Sequence, residues 1–521
     1  MRKYDCLVIT LQYKYCEINI PFMLRPLIIS LFSLFLTSNA YAQKATAVTQ
    51  EVMDFVYQQS RTPHKFGLVV APTTNREKYD CQTVFRKGDK WLMTFVCYNG
   101  SGGNDGRGYE TWLAESQDLL HWNIKGRVLE YATDPKAWAL NQRGGFPALI
   151  DHRWGGSYEM QQYKGRNYIT YIGGAGRGYE AVEQPLSIGI ASTDKDIATA
   201  HPWECADKPL MSYSDKDAQW WEYMTQYKST IYKMDKKWFG APYVMFYNAG
   251  GKDDTHPKGE RIGVATSKDM KKWKRYPGNP VFAHDSDGTI TGDAQIVWMD
   301  IPSTVSKSGG KGIWVMYYFS AFNPTREYNA YNTCAVSSDL KNWTDWNGED
   351  LIIPSKPYDE MFAHKSYVVK WEDTVYHFYC AVNNSGQRGI AVATSQPMGK
   401  SEVNFPEPDP TGKRTIINLG EDWKPSSKDS TIMGKLEDGK SFNVPFNLDD
   451  YYGTHQGEHG NLHGEATFVK HFTLNTTTTP KRYFLRFEGV GTYADITLNN
   501  KHLGHYDIGR TVETIDATEA L

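Results

Sequence analysis

One nine-residue pattern returns along this chain and limits what it can fold into. AESQDLLHW at residues 114–122, ATSKDMKKW at 265–273 and AVSSDLKNW at 335–343 share their alanine and tryptophan, with Asp118, Asp269 and Asp339 in register. Two looser copies complete a set of five: ASTDKDIATAHPW opens at Ala191, and AVATSQPMG around Ala393 keeps the alanine and lacks the tryptophan. A unit that recurs at this interval is one supersecondary element that must stack on its neighbours to bury its apolar surface. Ahead of each copy lie further strand signals. In the first repeat these are CQTVFRKGDKW, LMTFVCYNG and YETWLAES, bounded by Gly/Asn/Asp turns, while helical periodicity is nearly absent. Four antiparallel strands repeated radially make a propeller, so the chain is expected to be all-β with five blades. Because the fifth copy lacks its outer strand, FGLVVAP at residues 66–72 is expected to supply it and close the ring.

The propeller is placed at residues 65–400. The stretch 401–415, rich in proline at 406, 408 and 410, reads as a linker. From 416 to 521 the pattern changes to short strands such as EATFVKHFTL, RYFLRFEGV and YADITLNNKHLGHY, with Asn499-Asn500 as a hairpin turn. These predict a partial, jelly-roll-like β-sandwich, truncated at Leu521. Residues 1–42 are set apart from the fold. Residues 1–22 read as an upstream start-site artefact, and 23–42 as a signal peptide with Arg25, an apolar run over 27–36 and the small-residue end Ala40-Tyr41-Ala42. The apolar run is too short to span a bilayer, so cleavage after about Ala42 and a secreted or periplasmic location are expected.

Charge narrows the partners. Lys and Arg number 57 against 60 Asp and Glu, a net charge of −3, which gives no electrostatic reason to expect nucleic acid or an anionic membrane. After cleavage Cys81, Cys97, Cys205, Cys334 and Cys380 remain, widely spaced and without a CxxC pair, so buried thiols are expected rather than a disulfide framework or a zinc site.

Strand direction then picks out candidate chemistry. The starts of the innermost strands and the loops between second and third strands converge on one face over the axis. They bring there Asp80 and Cys81, Glu159, Lys228 with Glu222, Asp293, and His364 with Lys365; the loops add Glu110, Glu180, Glu260, Glu327 and Arg388. Crowded carboxylates can be driven apart in pKa, and glycoside hydrolysis needs such a pair: one to protonate the leaving oxygen, one to activate water or attack the anomeric carbon. Glu159 and Glu222 rank first as catalytic candidates and Asp80 third, with Glu180 and Glu260 as a reserve pair. Trp221, Tyr158, Tyr227, Lys228, Asp293, His364 and Arg388 are candidate substrate contacts, the aromatic rings offering a stacking face for a sugar. This chemistry requires no cofactor; an axial calcium ion on Asp293 or His364 is kept as an option.

The repeated A-x-S-x-D-L-x-x-W, GNPVF at residues 278–282 and acids at inner strand starts resemble the five-bladed propeller glycosidases related to family 43, over roughly residues 65–400. HGEATFVKHF, YFLRFEGV and ADITLNNKHLGHY are similar to the sugar-binding sandwich that opens family 2 glycosidases, whose catalytic barrel would follow it. A propeller ahead of a family 2 enzyme resembles bacterial two-enzyme proteins of pectin breakdown in which the propeller is a family 137 β-L-arabinofuranosidase. The resemblance implies a secreted, exo-acting glycosidase on arabinose-containing side chains, with an oligosaccharide or polysaccharide as partner. Two other readings stay open: a catalytically silent carbohydrate-binding propeller that targets a downstream family 2 enzyme, and a glycoside phosphorylase using Lys228, Lys365 and Arg388 as its anion site.

Overall fold

The computed structural model describes residues 48–99, 106–179, 185–305, 311–407, 416–425, 441–444, 467–472, 482–489, 494–506 and 512–521. The expected signal region, 1–42, therefore lies outside the described residues. The chain divides into two compact units, Met1–Gly412 and Lys413–Leu521.

The first unit is a five-bladed β-propeller. After a helix α1 (Gln50–Ser60) and strand β1 (His64–Val70), the first blade is built from β2 (Lys78–Lys87), β3 (Lys90–Tyr98), β4 (Tyr109–Ser116) and β5 (Trp122–Leu129). The second comprises β6 (Gln142–Pro147), β7 (Asn167–Gly174), β8 (Ser187–Thr193) and β9 (Glu204–Cys205); the third β10 (Thr225–Lys233), β11 (Tyr243–Gly251), β12 (Gly259–Ser267) and β13 (Trp273–Arg275). The fourth is β14 (Ile290–Asp300), β15 (Gly312–Ala321), β16 (Ala330–Ser337) and β17 (Thr344–Asp345). The last is β18 (Phe362–Trp371), β19 (Thr374–Val382) and β20 (Arg388–Thr394), and its outer position is taken by β1, antiparallel to β20 from His64↔Thr394 to Val70↔Ile390. The N-terminal strand thus closes the ring. Residues 401–407, expected as the start of a linker, lie along the exposed edge of β1, where Ser401 N donates to Phe66 O (2.8 Å) and Leu68 bridges Val403. Covering that edge removes a row of unpaired backbone groups.

The repeated motif is a rim turn. Ser116 Oγ accepts from Leu119 N (3.0 Å), Asp118 Oδ1 accepts from Leu120 N and His121 N, and Trp122 Nε1 donates to Leu119 O (3.1 Å). Leu119, Met270 and Leu340 share a positive φ of 68°, 61° and 65°, so three blades hold the same left-handed residue at the same step. The tryptophans then reach neighbouring blades: Trp122 meets Phe378 edge-on at 5.9 Å and Trp343 meets Phe246 at 6.4 Å.

Helix α1 was not expected from the sequence. Its buried face of Val52, Met53, Val56 and Tyr57 packs on Val297, Val315 and Val336, and Tyr57 stacks on Trp346 at 4.5 Å. Cys81, Cys97, Cys334 and Cys380 are buried free thiols, and Cys205 is a half-buried one. No helix among the described residues is long and apolar enough to cross a membrane.

The second unit is likewise β-structured over its described residues. Phe484–Phe487 pairs with Glu513–Asp516, and Ala494–Leu498 pairs with Lys501–Tyr506 around Asn499 and Asn500, both at positive φ. That is the hairpin read from the sequence.

Candidate active site

Four of the five innermost strands carry the same irregularity near their first residues. Register slips by one residue between Asp80 and Thr83, Gln226 and Ser229, Gly292 and Gln295, and His364 and Tyr367. Each slip is a β-bulge, which bends the strand and re-aims the bulged side chains. Cys81, Asp293 and Lys365 accordingly adopt positive φ of 50°, 55° and 59°. The bulges place Asp80, Lys228, Asp293, His364 and Lys365 at one end of the axis. All are buried. The Cys81 thiol, pushed up first by its own burial, is also influenced by Asp80, Lys365, Asp293 and Lys228, which sets these four charges around one point.

Asp80 anchors one side of that point. Its Oδ2 receives Lys365 Nζ (2.8 Å), Arg388 NH1 (2.8 Å) and the Tyr179 hydroxyl (2.6 Å), and its Oδ1 receives Cys81 N (2.8 Å). Burial opposes its charge, but Lys365 and Arg388 outweigh burial and hold the carboxyl well below the usual carboxylate range. Asp80 is therefore ionised at any ordinary pH. His364 lies between Phe319 and Phe362, and burial, then Arg388 and Lys365, push its pKa well down, so it is neutral. A neutral ring that donates from Nδ1 to Cys380 O (3.3 Å) leaves Nε2 facing Arg388.

Across the axis, Lys228 Nζ stands 3.7 Å from Asp293 Oδ2. Asn248 links this side to the loop of the third blade: its Oδ1 accepts from Asp293 N (3.3 Å) and its Nδ2 donates to Glu260 Oε2 (3.1 Å). Glu260 is half-buried, unlike Asp80 and Asp293. Tyr227 packs with Cys81, Tyr98 and Tyr179, giving this end of the axis an aromatic side.

Several expectations are corrected by this geometry. Glu159 and Tyr158 do not start an inner strand; that role belongs to β6, whose Gly144-Gly145 and Pro147 disguise it. A Cβ on Gly145 would come within 2.8 Å of the Ile169 and Leu129 side chains, so packing favours glycine at this position. Residues 148–166 instead cross the opposite end of the axis and touch the inner strand of every other blade. Tyr158 O accepts from Arg86 N (2.9 Å), Leu149 N donates to Ile231 O (2.8 Å), Trp154 N to Trp298 O (2.8 Å), and Lys370 N to the Tyr158 hydroxyl (2.9 Å). Glu159 Oε1 accepts from Gly88 N (3.1 Å) at that far end.

Glu222 is fully buried and fully engaged, by Arg275 Nε (2.7 Å), Gln226 Nε2 (2.9 Å), the Tyr247 hydroxyl (3.1 Å) and Gln219 N (3.0 Å). Trp221 is likewise wholly buried against Tyr247, so it offers no stacking face. Glu180 lies outside the described residues. The axial end thus gathers Asp80, Tyr227, Lys228, Asp293, His364, Arg388 and Glu260, leaves Glu159 and Tyr158 at the opposite end, and leaves Glu222 and Trp221 nearby but locked into the packing of the third blade. Tyr179 and Asn248 were missed: Tyr179 follows a glycine-rich stretch, and Asn248 sits inside β11, where its side-chain direction depends on the blade register.

Asp80, His364 and Cys380 place ligand-type atoms within 4.8 Å of one another. Calcium prefers roughly six to eight oxygen ligands. Here Asp80 faces two cationic side chains, Asp293 faces Lys228, and the remaining donors are a thiol and an imidazole, so the donor set does not fit calcium.

No family-level sequence model matches the chain. Two solved structures, one of a complex with RGII and one of a glycoside hydrolase, are each 64% identical to it, cover 70% of it and 100% of their own length, and superpose with a TM-score of 0.66. Fold and site together define a five-bladed propeller of the glycosidase type. At this identity and coverage the protein belongs to the same family as that propeller glycoside hydrolase. A β-glucuronidase of Formosa agariphila is 28% identical over 110 residues, 19% of this chain; the match spans about a tenth, 11%, of that curated relative.

Proposed function

We propose that the protein is an exported, exo-acting glycosidase that removes an arabinofuranose-type terminal sugar from a pectic side chain, with the axial pocket as its active site. The observation that carries the reading is Glu260: a half-buried carboxylate, fixed by Asn248, beside a ring of buried charges. Glu260 transfers the proton between the glycosidic oxygen or water and the pocket. Its partner carboxylate is assigned by sequence position to Glu180, one residue beyond Tyr179, whose hydroxyl reaches Asp80. Asp80, held ionised by two cations, serves as the fixed anchor that orients Tyr179, Lys365 and Arg388. The RGII complex of a 64% identical relative supports a pectic substrate. The signal-like segment 23–42 supports export. For the second unit, Lys413–Leu521, a family 2-type sugar-binding role is proposed, in keeping with the short match to a β-glucuronidase.

Release of nitrophenol from 4-nitrophenyl β-L-arabinofuranoside tests the reading. Wild-type protein is expected to turn it over, and Glu260→Gln and Glu180→Gln to be folded and inactive. Sugar binding without turnover in the wild type would mark a carbohydrate-binding propeller instead, and products that require added inorganic phosphate would mark a phosphorylase.

A further inference from the structure

Arg388 Nε lacks a partner, but its guanidinium is held through NH1 by Asp80; Lys228 Nζ and Asp293 Oδ2, buried and oppositely charged at the same end of the axis, have no hydrogen-bond partner among the described residues. Their side chains are 4% and 5% exposed, and they stand 3.7 Å apart, too far for a hydrogen bond between them. Leaving one buried charged group without a hydrogen bond is costly, and here two are left so, on adjacent blades. Asp293 is also held at a positive φ of 55°, a conformation that non-glycine residues adopt at a cost and that recurs at ligand sites. The fold thus maintains an aimed donor and an aimed acceptor that it does not itself satisfy.

We propose that Lys228 and Asp293 form a hydroxyl-reading subsite that takes a vicinal diol of the terminal sugar. One hydroxyl donates its hydrogen to Asp293 Oδ2, and its neighbour accepts a hydrogen from Lys228 Nζ. A vicinal diol supplies that pairing from one rigid fragment, since each hydroxyl both donates and accepts. The charge balance selects the ligand class. Phosphate or a uronate carboxylate would meet Lys228 but be repelled by Asp293, and a metal ion would meet Asp293 but be repelled by Lys228; a neutral diol is favoured by both. Lys228 Nζ lies 5.4 Å from the centre of the Phe146 ring, which fills the space on that side and leaves the charge directed at the axis. Asn248 bonds both Asp293 N and Glu260 Oε2, so the residue that sets the diol reader also sets the carboxylate assigned to proton transfer.

The subsite deepens the glycosidase reading and rests on it only for where the sugar's leaving group lies; binding and turnover are therefore measured separately. Full-length protein is titrated by calorimetry with methyl β-L-arabinofuranoside and its 2-deoxy and 3-deoxy analogues, and turnover is followed on the nitrophenyl furanoside. Wild-type protein is expected to bind the parent sugar about 10- to 100-fold more tightly than either deoxy analogue, the range for hydrogen bonds to charged groups. Lys228→Met and Asp293→Asn are expected to weaken the parent by a similar factor and to erase the difference between parent and analogues, raising KM far more than they lower kcat. The deoxy series on wild-type protein stands even if a variant folds poorly. Equal affinity for parent and deoxy sugars, or no binding of the parent at all, overturns the subsite, as does parent affinity unchanged in both folded variants, which would leave the pair to a bridging water. Diol-dependent binding without turnover keeps the subsite and removes the hydrolase reading.

Discussion

The two ends of the propeller axis are made from the same five innermost strands and have opposite characters. At one end, bulges turn buried charges inward: Asp80, Lys228, Asp293 and Lys365, joined by Arg388 and the half-buried Glu260. At the other, residues 148–166 lie across the strand ends and satisfy backbone groups of Arg86, Ile231, Trp298 and Lys370. At the second end the crossing segment takes up strand backbone groups and leaves only the neutral Trp314 Nε1 and one nitrogen of Arg86, Nε, without a partner among the described residues; at the first, the opposed charges of Lys228 Nζ and Asp293 Oδ2 are left unsatisfied. A strand that alternates correctly for packing still has to be distorted to present charge to a ligand, and the bulges supply that distortion. Chemistry is therefore expected where the ladder is irregular.

The sharpest test of this contrast sets one glutamate from each end side by side. Glu260→Gln at the charged end is expected to lower kcat/KM by about 10²- to 10⁴-fold, the usual contribution of a proton-transferring side chain, with little change in melting temperature. Glu159→Gln at the plugged end, where among the described residues the carboxylate receives Gly88 N alone, is expected to leave kcat/KM within about twofold. Comparable activity losses in both variants would dissolve the distinction between the ends.

Glu222 sharpens it from a third position, because it lies near the charged end and yet is wholly consumed by structure. Replacing it with alanine leaves Arg275 Nε, Gln226 and Tyr247 without their acceptor. Breaking a buried ion pair from one side costs about 3–5 kcal/mol, and the lower figure is expected since Arg275 keeps Asp217 at 2.8 Å. Chemical denaturation of Glu222→Ala checks the loss; a stable but inactive variant would instead return Glu222 to the catalytic candidates. At the plugged end, Tyr158→Phe removes the acceptor of Lys370 N and Gly155 N. A destabilisation of about 1–3 kcal/mol is expected from the unsatisfied donors, with kcat/KM of the folded protein unchanged.

How far the sequence carried these distinctions depends on the kind of information each requires. The fold was legible because the S-x-D-L-x-x-W turn is local: its serine, aspartate and left-handed residue need only one another, so the motif survives reading in isolation. The closing strand was legible by subtraction, the last repeat lacking a part. The second blade was misread because Gly144, Gly145 and Pro147 argue against a strand, although the glycines answer to Ile169 and Ile172 across the sheet and to Val96 of the neighbouring blade, partners no local window contains. That misreading moved Glu159 and Tyr158 to the wrong end. Glu222 and Trp221 were placed near the right end, but a sequence does not show that Arg275, on the outermost strand, occupies the carboxylate. Asp80, Lys228, Asp293 and His364 were found because inner strand starts were counted, and Arg388 because the loops between second and third strands were. The bulges that turn them inward shift pairing by a single residue, and composition leaves no trace of that.

The smallest effect expected concerns the rim turns, which are as regular as the axial end is distorted. Asp118 holds its turn through Leu120 N and His121 N and also meets the His121 ring at 2.7 Å. Burial works against its charge, but the His121 contacts and the turn amides outweigh it and lower its pKa to about 2 from 3.8. A carboxyl depressed in the folded state contributes stability that is fully present above its unfolded pKa and is lost as pH falls through the folded value. The contribution of Asp118 is thus expected to be intact above about pH 4 and to fade between pH 4 and pH 2. The side chain is half exposed, so solvent screens the effect, and Asp118→Asn is expected to cost about 1 kcal/mol or less at neutral pH. The variant's stability should then fall less steeply than the wild type's between pH 4 and pH 2, the two curves converging at the acid end. Activity should not differ at any pH where both are folded, because this turn lies at the rim and, among the described residues, no bond connects it to the axial cluster. A change in the pH profile of kcat/KM in Asp118→Asn would show that rim and axis are coupled, and would count against assigning the repeat to architecture alone.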